Sequence, residues 1–212
     1  MDRRLRSGSA HPAPRRLTIA SADLAATLSE LLGGEESQAE AAATRLPPFG
    51  SSAREALLDL TASADADTRW WAVRALAGFT DDQEARDGLL RHLEDPDASV
   101  RQCAALGLRH QPSVGAMPSL VRAMADDDVM VSRLAADALA ACGPASVPHF
   151  QKALQSEHPR VRIEAARALA SLRDPSALPA LYAALRDPTP LVEHWASQGL
   201  EALGQGMIYF KP

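Results

Sequence analysis

Side chains able to anchor a protein partner recur along this chain of 212 residues at intervals of about 30 residues. Arg74, Arg133 and Arg167 carry guanidinium groups, which bind carboxylates through two parallel hydrogen bonds. Trp70 adds a large aromatic surface of the type that anchors protein interfaces. These residue types favour recognition of an acidic or carboxylate-bearing protein segment over the making and breaking of bonds.

Residues suited to catalysis or metal binding do not form a recognisable motif. No HExxH, phosphate-binding glycine loop, dinucleotide fingerprint or serine-histidine-aspartate arrangement can be read from the sequence. His194 is not followed by a glutamate, and Glu164 is not preceded by a histidine. Cys103 and Cys142 form no CxxC pair and fall on the apolar face of predicted helices, which indicates buried thiols in a reducing compartment. We therefore expect no cofactor and no structural or catalytic metal.

Charge is distributed unevenly along the chain. Residues 1–16 contain five arginines against Asp2, a net charge of +4, which leaves −9 on the remainder of a chain whose total is −5. An acidic body argues against a nucleic-acid reader, which needs a basic surface to neutralise phosphates. No run of 18 apolar residues occurs, so the sequence predicts no membrane span. Alanine and leucine dominate the apolar residues, and both favour helices.

An internal repeat indicates how these side chains are positioned. Five similar segments, separated by 30 to 32 residues, read TRWWAVRAL, VRQCAALGL, VSRLAADAL, VRIEAARAL and VEHWASQGL, and they begin at Thr68, Val100, Val131, Val161 and Val192. A weaker copy ends at Leu46, which makes six repeats. Counted from each first residue as offset 0, the apolar or small residues fall mostly at offsets 0, 3, 4, 7, 8 and 11, which is one face of an α-helix.

Offset 4 holds alanine in all five segments, and a small residue there lets neighbouring helices approach closely. We expect Ala135, at offset 4, to be buried against the next repeat and Ala136 to lie nearer the exposed side. Three residues before each segment stand the predicted N-caps Asp65, Asp97, Asp128, His158 and Thr189, of which His158 is the poorest. A second apolar helix precedes each segment, and stacked helix pairs of this kind share one continuous core.

The stretches AMPSLVRAMADDDVMVSRLAADAL and ALPALYAALRDPTPLVEHWASQGL resemble HEAT-like repeats of the phycobilisome-lyase type, and the resemblance covers roughly residues 20–205. It implies an all-α superhelix of about six two-helix repeats. Such repeats usually pair a turn aspartate with an arginine just after the valine at offset 0. This chain keeps Arg69, Arg101 and Arg162 but has Ser132 and Glu193 in the other two copies, so we expect the ladder to be interrupted at repeats four and six.

In such a solenoid the second helices line the concave face, and offsets 2, 6 and 9 point into it. These offsets give the candidate partner-binding residues Trp70, Arg74, Gln102, Leu106, Arg109, Arg133, Asp137, Ile163, Arg167, His194, Gln198 and Glu201. The alternative interpretation is a solvated helix face on which the arginines merely pair with Asp137 and nearby carboxylates.

We expect a non-catalytic cytoplasmic scaffold that binds a protein partner on its concave face. The alternative is an accessory or chaperone-like subunit of a bilin-lyase-type enzyme, since those subunits share this repeat type. HEAT-like DNA glycosylases fit less well because the body is acidic, and iron hydroxylases fit less well because their repeated His-Glu ligand pairs are missing.

The ends of the chain differ from the repeats. Residues 1–16 lack apolar periodicity, and we expect a disordered basic arm. The solenoid is expected over residues 17–206. Residues 207–212 include four consecutive apolar residues, and we expect this tail to cap the last repeat, because solenoid ends must be covered to stay soluble.

Overall fold

The computed structural model describes the backbone of residues 15–205 and the side chains of residues 22–205. Within that range the chain forms twelve α-helices and no strand, arranged as six successive helix pairs. The predicted all-α solenoid of six two-helix repeats is confirmed. The predicted tail 207–212 lies outside the described residues, as does the predicted arm apart from Arg15 and Arg16, which begin the first helix.

Each repeat contributes a first helix and a second helix. The first helices are α1 (Arg15–Leu31), α3 (Ser51–Leu60), α5 (Gln83–Arg91), α7 (Met117–Ala123), α9 (Val147–Ala153) and α11 (Leu178–Ala184). The second helices are α2 (Glu36–Arg45), α4 (Ala66–Leu76), α6 (Ala98–Arg109), α8 (Val129–Ala140), α10 (Pro159–Leu172) and α12 (Pro190–Ala202). No helix in the described part of the chain combines the length and the apolar character needed to cross a bilayer.

The second helices begin where the sequence predicts. The carboxylates of Asp65, Asp97 and Asp128 accept hydrogen bonds from backbone N–H groups in the first turns of α4, α6 and α8. Such caps satisfy N–H groups that have no partner inside the helix. His158 and Thr189 make no side-chain cap, and the helices that follow them open with proline, whose missing N–H costs little at that position.

Second helices of adjacent repeats pack closely, whereas first helices lie further apart. The offset-4 alanines are fully buried at this contact in every copy, namely Ala72, Ala104, Ala135, Ala165 and Ala196. Glycines at offset 7 tighten it further: a Cβ added to Gly107 would lie 2.9 Å from the Cβ of Ala77, and one added to Gly199 would lie 3.1 Å from the Cα of Ala170. The unequal spacing curves the stack, so the second helices form the concave layer.

The predicted buried face of α8 is too narrow, because offsets 0, 4, 7 and 8 are buried as expected but offset 5 is buried as well. Ala136, at offset 5, is as fully buried as Ala135, whereas Leu134, at offset 3, is half-buried. A second helix contacts the inner helices of two neighbours as well as its own first helix, so its buried face is wider than one apolar stripe. The expectation for the thiols is confirmed for Cys103, which is buried within α6, but wrong for Cys142, which follows the end of α8 and is half-buried.

A ladder of ion pairs joins consecutive repeats at the start of the second helices. Arg69 binds Asp95 of the next repeat through two hydrogen bonds of 2.8 Å, and Arg101 binds Asp126 in the same way at 2.8 and 3.0 Å. Arg162 binds Asp187 at 2.7 and 3.3 Å. Each arginine also donates to two carbonyl oxygens of its own turn, so one guanidinium fixes two repeats at once. Glu193, at the arginine position of the sixth repeat, forms no ion pair among the described residues.

Two of the ladder carboxylates, those of Asp95 and Asp187, have a lowered pKa. Burial raises the pKa of Asp95, but hydrogen bonds from Arg69 and from the backbone N–H of Asp97 outweigh it and leave this pKa below its usual value. The pKa of Asp187 is lowered through the same balance, with Arg162 and Thr189 as the donors. A folded-state pKa below the unfolded value means that the stabilisation is complete above the unfolded pKa of about 4 and is lost as pH falls through the folded pKa.

We predict that Ala135→Leu and Ala136→Leu each lower the free energy of unfolding by roughly 1–3 kcal/mol, because both add volume to a closely packed contact. Ala141→Leu, at an exposed position just after α8, is the control and should change stability by less than about 0.5 kcal/mol. Urea denaturation followed by circular dichroism measures all three. A large loss of unfolding free energy for Ala135→Leu alone would contradict this prediction and support the exposed position that the sequence predicts for Ala136.

We predict that Asp95→Asn lowers the free energy of unfolding by about 2–3 kcal/mol at pH 7, since it removes a charged hydrogen-bond partner of Arg69. The difference from the native chain should shrink as pH falls below about 4, where the native carboxylate becomes protonated as well. Asp59→Asn, at an exposed position, is the control. Denaturation curves measured between pH 7 and pH 3 test this, and a constant difference over that range would contradict it.

Candidate functional site

The candidate site is the concave groove, defined here as the solvent-facing surface of α4, α6, α8, α10 and α12. One row of side chains comes from offset 2 and consists of Trp70, Gln102, Arg133, Ile163 and His194. A second row comes from offset 6, one helical turn later, and consists of Arg74, Leu106, Asp137, Arg167 and Gln198. Arg109 and Glu201 follow at offset 9. The structure leaves all twelve predicted residues at least partly exposed, because offset 4 faces the adjacent helix and turns these offsets away from it.

An ion network occupies the groove between repeats four and five. Arg167 donates to Asp137 of the preceding repeat at 2.6 Å and to Glu164 of its own helix at 2.7 Å. Burial lowers the pKa of the Arg167 guanidinium, but these two carboxylates raise it by more, and the result lies above its usual value. Arg167 is therefore committed to internal partners. Glu164 is not among the residues predicted for the groove, although its spacing of three residues from Arg167 is that of an ion pair on one helix.

Arg74 and Trp70 also make internal contacts. Arg74 forms an ion pair with Glu40 of the first repeat. Trp70 is half-buried against the core and meets the Trp71 ring edge to face, with ring centres 4.8 Å apart. The side chains of Trp70 and Arg74 are therefore held by contacts within the chain, at the end of the groove nearest the first repeat, and do not project freely into solvent.

Two groove arginines remain without an ion pair in the described part of the chain. Arg133 and Arg109 are both exposed, and no carboxylate among residues 22–205 lies within ion-pair distance of either. Leu106 is 41% exposed in the same row as Arg74 and Arg167, and Ile163 is half-buried on α10, two repeats further along the groove. The central groove thus combines free guanidinium groups with apolar side chains, which is the chemistry for binding an acidic segment that also carries apolar residues.

The remaining predicted residues flank this centre. Gln102 donates to the cap residue Asp128 at 3.0 Å, so its amide is already partly satisfied. The His194 ring lies 5.4 Å from that of Trp195, centre to centre, and Gln198 and Glu201 are exposed near the last repeat. Among the described residues, no group of three or more histidine, cysteine, aspartate or glutamate side chains could hold a metal ion.

A cleft outside the groove lies on the opposite, convex side. It has a volume of about 570 Å³ between the first helices α9 and α11, and its lining includes Leu154, Pro179, Ala180 and Ala183. None of the predicted partner-binding residues lines this cleft.

Comparison with known proteins identifies the repeat. The family profile described as HEAT repeats matches residues 54–140 and 117–201. A chain of the complex of CpcE and CpcF of phycocyanin lyase from Nostoc sp. PCC7120 is 23% identical, with 96% of this chain and 82% of that chain covered and a TM-score of 0.50. A designed armadillo repeat protein in complex with the peptide (KR)4 is 19% identical, with 85% and 99% covered and a TM-score of 0.48.

Human deoxyhypusine hydroxylase in complex with glycerol is 17% identical, with 91% of this chain and 92% of that chain covered and a TM-score of 0.42. A search of curated proteins finds no match. At these identities the structural likeness shows the fold alone.

We predict that Arg167→Ala lowers the free energy of unfolding by about 2–3 kcal/mol, because it leaves the buried Glu164 carboxylate without its charged donor. Adding Glu164→Gln should recover part of the loss, since a neutral amide is less costly to bury unpaired. Arg133→Ala, which removes an exposed arginine from the same groove, is the control and should cost less than about 0.5 kcal/mol. Equal losses for the two arginine variants in thermal or urea denaturation would contradict the network.

Proposed function

This chain belongs to the HEAT-repeat family, and we propose from that premise that it is a non-catalytic scaffold that binds a protein partner in its concave groove. The observation that carries the proposal is the pair of exposed guanidinium groups, that of Arg109 on the same helix as the exposed Leu106 and that of Arg133 on the adjacent second helix. Repeat solenoids present extended concave surfaces, and arginine and apolar side chains on such a surface are suited to anchoring a partner.

The proposed partner segment is acidic with interspersed apolar residues. The groove's other cations are neutralised internally, Arg74 by Glu40 and Arg167 by Asp137 and Glu164. Since Asp137 is likewise occupied, it offers little repulsion to an incoming carboxylate. Arg109 and Arg133 are then the charges left to select the partner. Nucleic acid is disfavoured because the net charge of the remainder of the chain is negative.

We also propose a cytoplasmic setting, which the state of the two cysteines supports. Both thiols are unpaired, and burial raises the pKa of Cys103 to about 12, so that thiol stays protonated and inert. Unpaired thiols of this kind are typical of a reducing compartment.

A second candidate is an accessory subunit of a bilin-lyase-type enzyme. It is favoured by the likeness to the phycocyanin-lyase complex, in which the superposition spans 96% of this chain. The groove offers no cysteine for a chromophore to bind, because Cys103 is buried and Cys142 lies after the end of α8. A chromophore absorbing visible light that remains with the protein through purification would favour this candidate over the scaffold.

We predict that the full chain binds a fluorescent peptide of alternating glutamate and leucine more tightly than one of alternating lysine and leucine. Arg109→Glu with Arg133→Glu should weaken binding of the acidic peptide by at least about tenfold, since two charge-assisted contacts become repulsive. Fluorescence anisotropy titration at low salt measures both.

The matched control for this experiment is Arg91→Glu with Lys152→Glu, which makes the same change in net charge. Both residues are exposed on first helices, α5 and α9, away from the groove. The control should bind the acidic peptide nearly as well as the native chain. Equal weakening in the two double variants would mean that binding depends only on net charge, and unchanged binding in the groove variant would refute the proposed site.

A further inference from the structure

Within repeats two to six, the ion-pair ladder lacks both of its partners at one junction. The turn position that supplies the ladder carboxylate in these repeats is aspartate at 95, 126 and 187, but it is serine at 156. Ser132 stands at the matching arginine position of the preceding repeat. The junction between repeats four and five thus has neither the guanidinium nor the carboxylate that joins repeats two to three, three to four, and five to six. The junction between repeats one and two, with Ala39 and Ser63 at the two positions, has no such pair either.

The two serines are satisfied within their own repeats. The Ser132 hydroxyl is fully buried and donates to the carbonyl oxygen of Met124 at 2.7 Å. The Ser156 hydroxyl accepts from the backbone N–H of His158 at 3.2 Å, as the ladder aspartates do from the equivalent N–H groups. Neither serine makes a bond across the junction that the missing ion pair would have crossed.

Arg160 takes over half of the missing arginine's contacts, from the opposite direction. Its guanidinium extends back from repeat five and donates to the carbonyl oxygens of Asp126 and Asp127 at 3.0 and 2.8 Å. At the intact junctions the equivalent turn carbonyls bind the arginine of their own repeat. Arg160 is exposed, whereas the ladder arginines are half-buried, and it binds no carboxylate of the described residues.

Packing is also weaker at this junction. The contact between α8 and α10 is smaller than the contacts between α6 and α8 and between α10 and α12. The junction is held on this edge by one exposed arginine and in the groove by the Arg167–Asp137 pair.

We infer that the solenoid contains a hinge between repeats four and five. In a repeat array each unit contacts only its neighbours, so an interface that is weaker than those on either side of it is where the array opens. Repeats five and six then move as one body and repeats two to four as another, with Arg160 as the contact that gives way. This inference does not depend on the proposed function, because it concerns the free chain.

Hydrogen–deuterium exchange of the full chain in mild denaturant tests the hinge. We expect the amides of α9 to α12 to exchange together, at lower denaturant than those of α4 to α8. Ser132→Arg with Ser156→Asp rebuilds the missing pair, and it should slow exchange at the α8–α10 junction by at least about tenfold, as expected for a charged hydrogen-bonded pair. Arg160 can turn to solvent in this variant, since the equivalent Leu191 is exposed.

Two further variants keep the test decisive. Arg101→Ser with Asp126→Ser removes the ladder ion pair between repeats three and four. The array should then open at that junction instead. Arg160→Ala should accelerate exchange at the native hinge selectively, whereas Arg91→Ala, at an exposed site on α5, should not. Exchange of α8 and α10 at one common rate in the native chain, or unchanged exchange in both the rebuilt variant and Arg160→Ala, would overturn the hinge. If the rebuilt variant fails to fold, Arg160→Ala decides.

Discussion

The close contact between second helices of adjacent repeats is the constraint on which the rest of this structure depends. Alanine at offset 4, with glycine at offset 7 in α6 and α12, brings these helices together, and no side chain of ordinary size fits at either glycine. First helices, which lack this contact, lie further apart, and the difference curves the stack. Offsets 2 and 6 are then turned away from the contact, which forms the groove. One packing requirement therefore determines both the shape of the solenoid and the identity of its exposed residues.

The sequence predicts the repeat and its helix starts well because both depend on local chemistry. An apolar period and an aspartate cap act over one or two helical turns, and the caps at Asp65, Asp97 and Asp128 are where the sequence places them. The burial of Ala136 is not predicted by the sequence, because α8 packs against α6, α10 and its own first helix α7, and the apolar period of one segment does not show that many neighbours. Ion pairing in the groove was harder still, because Arg74 and Arg167 find carboxylates 34 and 30 residues earlier in the chain. Offset alone cannot tell a free arginine from a paired one.

The arginines of the second helices have three different roles that the structure separates. Those at offset 1 join consecutive repeats and are half-buried, each paired with a turn carboxylate of the next repeat. Arg74 and Arg167 join repeats through the groove itself. Arg109 and Arg133 join nothing in the described part of the chain and stay exposed. Since a partner gains most from charges that are not already neutralised, Arg109 and Arg133 contribute more to recognition than the internally paired Arg74 and Arg167.

The groove and the proposed hinge share residues, so a partner bound in the groove changes how readily the hinge opens. Arg167 and Asp137 form the one ion pair across the repeat four to five junction among residues 22–205, and both lie in the offset-6 row of the groove. Arg133 lies directly beside them, because its backbone carbonyl accepts a hydrogen bond from Arg167 at 3.5 Å. A carboxylate bound to Arg133 would come close to this pair and compete with Asp137 for the same guanidinium. A segment that contacts both α8 and α10 would instead bridge the junction. The sign of the effect on exchange at the hinge therefore distinguishes the two modes: competition accelerates it, and bridging slows it.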